Sequence, residues 1–202
     1  MFNEEAYLRT YPDVAAAVNA GSLSSGQQHY TLYGQFENRV GFFFGTPGND
    51  TLTGFGSGTK LIAGVAFGAL SNGSTVAGVG EVDTLIGTEG TDVFALGHPN
   101  LPQLTSPPQQ FYVGGGNADY ALIQNFGRLN DVVVLEGAPQ NYRLQEVNGS
   151  SYISTASGDL VGIVEGIGQM SIVSSDSINT TRYNIPLALS GAFSVVVFSG
   201  VL

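Results

Sequence analysis

Residues 78–95 have the sequence GVGEVDTLIGTEGTDVFA, which contains one nine-residue pattern twice in succession. The pattern is G-G-x-G-x-D-x-U-x, in which U is a large apolar residue, and both copies follow it with some substitutions. Asp83 and Asp92 stand at the aspartate position, and Leu85 and Phe94 stand at U. A tandem repeat this short predicts turns of chain that stack on one another and bury their apolar residues in a shared core.

Three less complete copies of the pattern lie on either side of this stretch. Asp50 and Asp119 take the aspartate position in two of them, whereas Thr59 takes it in the third. The apolar position is filled by Leu52 in the first copy and only by Ala121 in the last. The copies are residues 45–53 (GTPGNDTLT), 54–62 (GFGSGTKLI) and 114–122 (GGGNADYAL).

The repeat has the chemistry of a calcium site. Its aspartate carboxylates and turn carbonyls offer the hard oxygen ligands that Ca²⁺ takes in sets of about six to eight. One ion would lie between two stacked turns, so the tandem pair with Asp83 and Asp92 is the first candidate, and Asp50 and Asp119 are further candidates. The pattern contains no His or Cys, which favours calcium over transition metals. The alternative is that these aspartates only shape the turns, where aspartate is common.

Residues 1–40 carry the signals of short helices. Asn3 and Ser25 are suited to cap helix N-termini, and Pro12 is suited to begin a helix. A segment of this length rarely holds a core of its own, so we expect it to dock onto the rest of the chain as a small α-helical cap.

The remaining chain divides into three regions. Residues 41–98 hold the degenerate repeat, residues 99–110 form a proline-rich loop, and residues 111–202 contain β-branched runs. These runs recur at intervals of about ten residues, which is typical of many short strands. We therefore expect a mostly β fold, with a parallel β-roll or β-solenoid of repeats, further short strands and an N-terminal helical cap.

Composition excludes several classes of protein. The chain has 6 basic and 16 acidic residues and a net charge of −10, which leaves no cationic surface for nucleic acid. It has no cysteine, so disulfides and zinc–thiolate centres are excluded. His29 and His98 are the only histidines, and neither an H-E-x-x-H nor a G-x-S-x-G motif occurs. We therefore predict no enzyme activity.

Three segments resemble the calcium-binding repeats of RTX-type (hemolysin-type) proteins. They are GTPGNDTLTG (residues 45–54), GEVDTLIGTEGTDVFALG (residues 80–97) and GGGNADYALI (residues 114–123). Repeats followed by strands in this way are similar to modules of cyanobacterial secreted and surface proteins, and residues 1–40 resemble a helical module often attached to them. The resemblance implies ordering by extracellular calcium, type I secretion, and a place outside the cell or at its surface. The N-terminus lacks the basic and apolar segments of a signal peptide, so we expect export without one.

The C-terminal residues 185–202 are uncharged. Their proline, serines and glycines argue against a membrane span, and the run at residues 195–198 (VVVF) predicts terminal strands. The resemblance to proteins exported by type I secretion implies an uncleaved C-terminal signal in this tail. Because few charges protect the strand edges, we expect a homo-oligomer or polymer, such as a filament, sheath or surface-layer subunit. The residues expected to form the assembly contact are Phe193, Val195, Val197 and Leu202. The alternative is a monomeric, calcium-stabilised adhesin or glycan-binding module, which would present a concave aromatic patch to a cell-surface glycan.

Overall fold

Runs of valine, isoleucine, threonine and aromatic residues form short strands that make the chain mostly β. The computed structural model describes residues 1–68, 77–97, 108–174 and 193–198, except for the side chains of Phe193 and Phe198. Within these ranges the strands are β1 (Gly41–Gly45), β2 (Thr51–Thr53), β3 (Thr59–Ala66), β4 (Val82–Ile86), β5 (Thr91–Ala95), β6 (Tyr120–Gln124), β7 (Val132–Glu136), β8 (Tyr142–Val147), β9 (Ser150–Thr155), β10 (Leu160–Val164), β11 (Met170–Ser174) and β12 (Phe193–Phe198).

The described strands form two mixed sheets. Sheet A has the order β1-β3-β5-β7-β12-β11, and sheet B has the order β2-β4-β6-β10-β9-β8. From β1 to β7, consecutive strands alternate between the sheets, and each strand pairs in parallel with the strand two places along the chain. Parallel neighbours are therefore always separated by a passage through the other sheet.

Apolar residues pack on both faces of sheet A. Side chains two residues apart on a strand share a face, so neighbouring strands align their apolar residues in rows. One row, Phe43–Ile62–Phe94–Val133, belongs to the main core together with apolar residues of sheet B. The opposite face carries a second buried cluster, which consists of Val93, Val132, Val134, Val195 and Val197. Sheet A is thus buried on both sides.

The C-terminal strand β12 lies inside sheet A. It runs antiparallel between β7 and β11, where Val195 and Val197 are fully buried. Phe193 pairs with Glu136, and Leu202 lies outside the described residues. The strand that we expected to reach a neighbouring subunit is therefore engaged within its own chain, since its backbone pairs with both β7 and β11.

The first forty residues contain three short helices, α1 (Glu4–Thr10), α2 (Pro12–Asn19) and α3 (Gly26–His29), and a π-helical turn, Tyr30–Gly34. The predicted caps are confirmed. The Asn3 side chain accepts the N–H of Ala6 at 2.8 Å, and Ser25 accepts that of Gln28 at 3.0 Å. Pro12 stands in the first turn of α2. In the described part of the chain, no helix has the length and hydropathy needed to cross a bilayer.

The N-terminal segment covers the outer edge of sheet A. The N–H of Asn3 donates to Phe42 O at 2.7 Å, and the N–H of Phe44 donates to Met1 O at 3.1 Å. The Phe2 ring lies within 6.0 Å, centroid to centroid, of the rings of Tyr7, Tyr30, Phe43 and Phe55. Backbone pairing and aromatic packing together dock the helices onto β1.

Candidate functional site

The aspartates of the repeat lie where strands begin, and they point inward. Asp83 and Asp92 each stand two residues before a fully buried apolar residue, so carboxylate and apolar side chain share one face. The strand register separates the polar positions into two rows. Row A, at the start of the strands of sheet A, is Lys60, Asp92 and Asp131, and row B, at sheet B, is Asp50, Asp83 and Asp119.

The tandem pair Asp83 and Asp92 is divided between the rows. Asp83 is in β4 of sheet B, and Asp92 is in β5 of sheet A. The carboxylate that neighbours Asp92 across its sheet is Asp131, whereas Asp83 contacts the backbone of Asp50. Adjacent copies of the repeat therefore do not supply two halves of one site, because the chain changes sheet between them.

The copy at residues 54–62 has a lysine where we placed a threonine. Lys60 pairs with Asp92 across the sheet, whereas Thr59 pairs with Thr91. The aspartate position of this turn is therefore occupied by Lys60, and our assignment of Thr59 was displaced by one residue. A slip of one residue matters here because it exchanges the two faces of a strand.

The last copy is displaced by two residues. Ala121 pairs with Asp83, and Ile123 pairs with Leu85, so Ile123 and not Ala121 takes the apolar position. Asp119 consequently lies further back in its turn, where its Oδ2 accepts the N–H of Gly80 at 3.1 Å. A displacement of two residues preserves the inward direction of the side chain, and Asp119 is fully buried.

Row B is held by hydrogen bonds from the neighbouring turns. Asp83 Oδ1 accepts the N–H of Asp50 at 2.8 Å, and Asp83 Oδ2 accepts the hydroxyl of Tyr112 at 2.6 Å. Asp50 Oδ2 accepts the N–H of Thr46, four residues before it, at 2.7 Å. Burial raises the pKa of Asp83, and the Tyr112 hydrogen bond opposes this rise. These carboxylates join one turn to the next.

Row A repeats the same arrangement. Asp92 Oδ2 accepts the N–H of Thr88, and Asp131 Oδ2 accepts that of Gly127, each at 2.7 Å and each four residues before the aspartate. Asp131 Oδ1 accepts the N–H of Asp92 at 2.8 Å, which joins the two turns. Burial raises the pKa of Asp92 and raises that of Asp131 to about 7.

At two of the four predicted aspartates, Asp83 and Asp92, the carboxylate oxygens already face hydrogens of the protein. Within the described ranges, no three or more His, Cys, Asp or Glu side chains are grouped to hold a metal. Asp83 directs both oxygens at N–H or O–H donors, and Asp92 directs its oxygens at an N–H and at the Lys60 ammonium. Hydrogens that point at a carboxylate repel a cation approaching from the same side, so in this structure Asp83 and Asp92 act as acceptors that fasten the turns.

Three groups around these aspartates, Lys60, Asp131 and Tyr112, were not among the site residues predicted from the sequence. Lys60 and Asp131 each stand two residues before a buried apolar residue, a spacing that the full nine-residue pattern hid. Tyr112 belongs to no repeat and reaches Asp83 from another part of the chain, so no local signal points to it. A D-x-U triplet, the shorter part of the pattern, marks Asp131 but neither Lys60 nor Tyr112.

The one described histidine, His29, is in contact with side chains of residues 1–40. His29 is buried in the helical cap, with Nδ1 3.0 Å from the Tyr7 hydroxyl and Nε2 3.7 Å from Glu37. His98, like residues 99–107 of the predicted loop, lies outside the described residues. His29 thus has the surroundings of a packing residue.

A groove of about 800 Å³ lies on the outer face of sheet B. Across it, Tyr152 of β9 has Gln145 of β8 on one side and Ile163 of β10 on the other. In the next row, Ser154 lies between Arg143 and Leu160. Tyr120 and Asn117 complete the polar and aromatic lining.

The polar groups of the groove are available to a ligand. Arg143 and Gln145 are exposed, and Tyr120 and Tyr152 are half-buried. Arg143 pairs with Ser154 through the backbone of β8 and β9, and its guanidinium has no hydrogen bond or ion pair among the described residues. The groove therefore combines apolar and aromatic surface with a few polar groups, as small-molecule sites commonly do.

Comparison with known family models, with curated proteins and with solved structures gives no match for this chain.

Proposed function

We propose that β1 to β7 form a parallel β-roll whose turns are fastened by aspartates. The proposal is supported by the alternation of strands between two sheets and by their parallel pairing. It is also supported by a recurring hydrogen bond, in which Asp50, Asp92 and Asp131 each accept the backbone N–H of the residue four positions earlier. The helical cap and the antiparallel strands β8, β9, β11 and β12 would then close the two ends of the roll.

The function that this geometry supports best is saccharide binding by a non-enzymatic module outside the cell or at its surface. The observation that carries it is the groove with Tyr120, Tyr152 and Arg143. Sugars present C–H faces that pack against aromatic rings, and their hydroxyls pair with amide, hydroxyl and guanidinium groups. A rigid sheet that displays such side chains binds without paying to order a loop. Location outside the cell rests on the resemblance to RTX-type proteins.

Self-assembly is the second candidate, and the edges of β1 and β8 favour it less. The edge of β1 is paired with residues 1–3, and β12 is held inside sheet A. At the end of sheet B, β8 carries exposed Arg143 and Glu146, and charges on an edge oppose pairing with another chain. The low charge content of the sequence is what supports assembly, and sedimentation of the intact chain tests it.

Binding is tested with the full chain on an array of neutral and acidic oligosaccharides, followed by calorimetric titration of the strongest. Tyr152→Ala and Arg143→Ala should each weaken that binding about tenfold or more, the equivalent of about 1.4 kcal/mol. Tyr33→Ala is the matched control, because Tyr33 is a tyrosine of the helical cap with 51% of its surface exposed. Absence of binding across the array, or equal affinities for Tyr152→Ala and Tyr33→Ala, would rule out the groove as a saccharide site.

A further inference from the structure

Lys60 is the only lysine in the sequence, and its side chain is completely buried. A buried ammonium group is costly unless hydrogen bonds and an opposite charge compensate it. Its surroundings supply both. Nζ donates to Gly58 O at 3.0 Å, to Gly56 O at 3.1 Å and to Glu89 O, and it lies 3.4 Å from Asp92 Oδ1.

The four oxygens belong to two successive turns of sheet A. Gly56 and Gly58 precede β3, and Glu89 and Asp92 precede and begin β5. The turns approach so closely that a Cβ atom on Gly90 would lie 2.3 Å from Ser57 O. Carbonyl and carboxylate oxygens repel one another at such an approach unless a cation lies among them. Lys60 supplies that cation, with three N–H donors for three carbonyls.

The site accommodates the aliphatic part of the Lys60 side chain as well as its ammonium group. A Cβ atom on Gly54 would lie 2.7 Å from Lys60 Cδ, so a glycine is needed there for the stem to pass. The shell itself, three carbonyls and one carboxylate, contains only the hard oxygens that calcium and similar ions take. The neighbouring positions of row A are Asp92 and Asp131, so Lys60 is the one basic residue of this row.

We propose that the Lys60 ammonium is a covalently tethered replacement for a metal ion between these two turns. The protein thereby holds the first turns of sheet A together without bound metal, and removal of the side chain leaves an oxygen-lined site that accepts Ca²⁺. This inference does not depend on the groove or on saccharide binding.

The test compares thermal unfolding of the full chain in millimolar calcium chloride and in chelator. Wild-type Tm should be equal in the two buffers. Lys60→Ala should lower Tm in chelator by roughly 10 °C, because Asp92 is left buried without its partner, and calcium should restore about half of this loss. Calorimetric titration of Lys60→Ala with calcium should give saturable binding that the wild type lacks.

Two further variants separate the site from general damage. Lys60→Met keeps the stem but removes the charge, so it should be destabilised and should not recover in calcium, since the stem still fills the space. Lys60→Ala combined with Asp92→Ala should lose the calcium response. A Lys60→Ala protein that calcium neither stabilises nor refolds would overturn the proposal, and so would a Lys60→Met protein as stable as the wild type.

Discussion

The fold buries the titratable imidazole ring of His29. The ring is buried, and this burial lowers the pKa of His29 below its ordinary value of 6.5, an effect to which the nearby Arg39 charge adds and which Glu37 opposes. A histidine of this kind favours folding in its neutral form. Its contribution is fully present above pH 6.5, and it is lost as the pH falls through the lowered pKa, because the unfolded chain binds the proton first.

We therefore expect the wild type to lose more stability between pH 7.5 and pH 5 than His29→Gln, which retains a polar group but cannot titrate. The measurement is the free energy of unfolding in urea at several pH values. The buried carboxyls Asp83 and Asp92, whose pKa values are raised, change stability in the opposite direction, so the comparison must be between the two proteins. Parallel pH profiles for the two proteins would show that His29 is not responsible.

Within β3, a glycine makes room for a contact between the sheets. Gly64 is buried, and a Cβ atom there would lie 2.1 Å from Asp83 Oδ2 and 2.2 Å from the Tyr112 hydroxyl. The hydrogen bond between Asp83 and Tyr112 thus passes directly over the backbone of β3. Any side chain at position 64 must displace one of two buried polar groups, which then loses its partner.

Gly64→Ala should lower the stability of the protein by about 1–3 kcal/mol, or Tm by roughly 5–10 °C. Gly68→Ala is the matched control at the exposed end of the same chain segment, where an added Cβ atom would meet nothing within 4 Å. Thermal unfolding followed by circular dichroism compares the two. If Gly64→Ala has the same Tm as Gly68→Ala, the contact with Asp83 and Tyr112 is not a rigid feature of the core.

At the scale of the whole molecule, the antiparallel strands extend the two sheets that the parallel strands form. β12 joins β7 to β11 and contributes buried valines to both faces of sheet A. Removal of residues 193–202 would therefore expose the paired edge of β7 and one side of each core cluster. The deletion thus removes an interior strand of sheet A.

We expect the chain truncated after residue 192 to be unfolded or aggregated, with no cooperative melting transition and with increased binding of a hydrophobic dye. Truncation before residue 199, which keeps β12, is the control and should melt cooperatively. A protein truncated after residue 192 that melts like the intact chain would contradict the place of β12 in sheet A. Assembly itself is measured by sedimentation of the intact chain with and without calcium.

Local features of this protein could be predicted from the sequence because their causes are local. Asn3 and Ser25 cap helices through bonds to residues three positions away, and Pro12 begins a helix through its fixed φ angle. The spacing between aspartate and apolar residue in the repeat predicts inward carboxylates, because side chains two residues apart share a face. The mostly β character followed from the same short, β-branched runs.

The partners of those carboxylates were decided only by the tertiary structure. Asp83 takes the N–H of Asp50, 33 residues away, and Asp131 takes that of Asp92, 39 residues away, because the chain passes through the other sheet before it returns. A nine-residue spacing contains no information about this path through the other sheet. The spacing therefore led us to predict Asp83 and Asp92 as neighbours. The path of the chain between the sheets also brings Lys60 to Asp92 and Tyr112 to Asp83. Long-range pairing likewise buries Val195 and Val197 within their own sheet. Long-range register, and not local pattern, determined which groups meet.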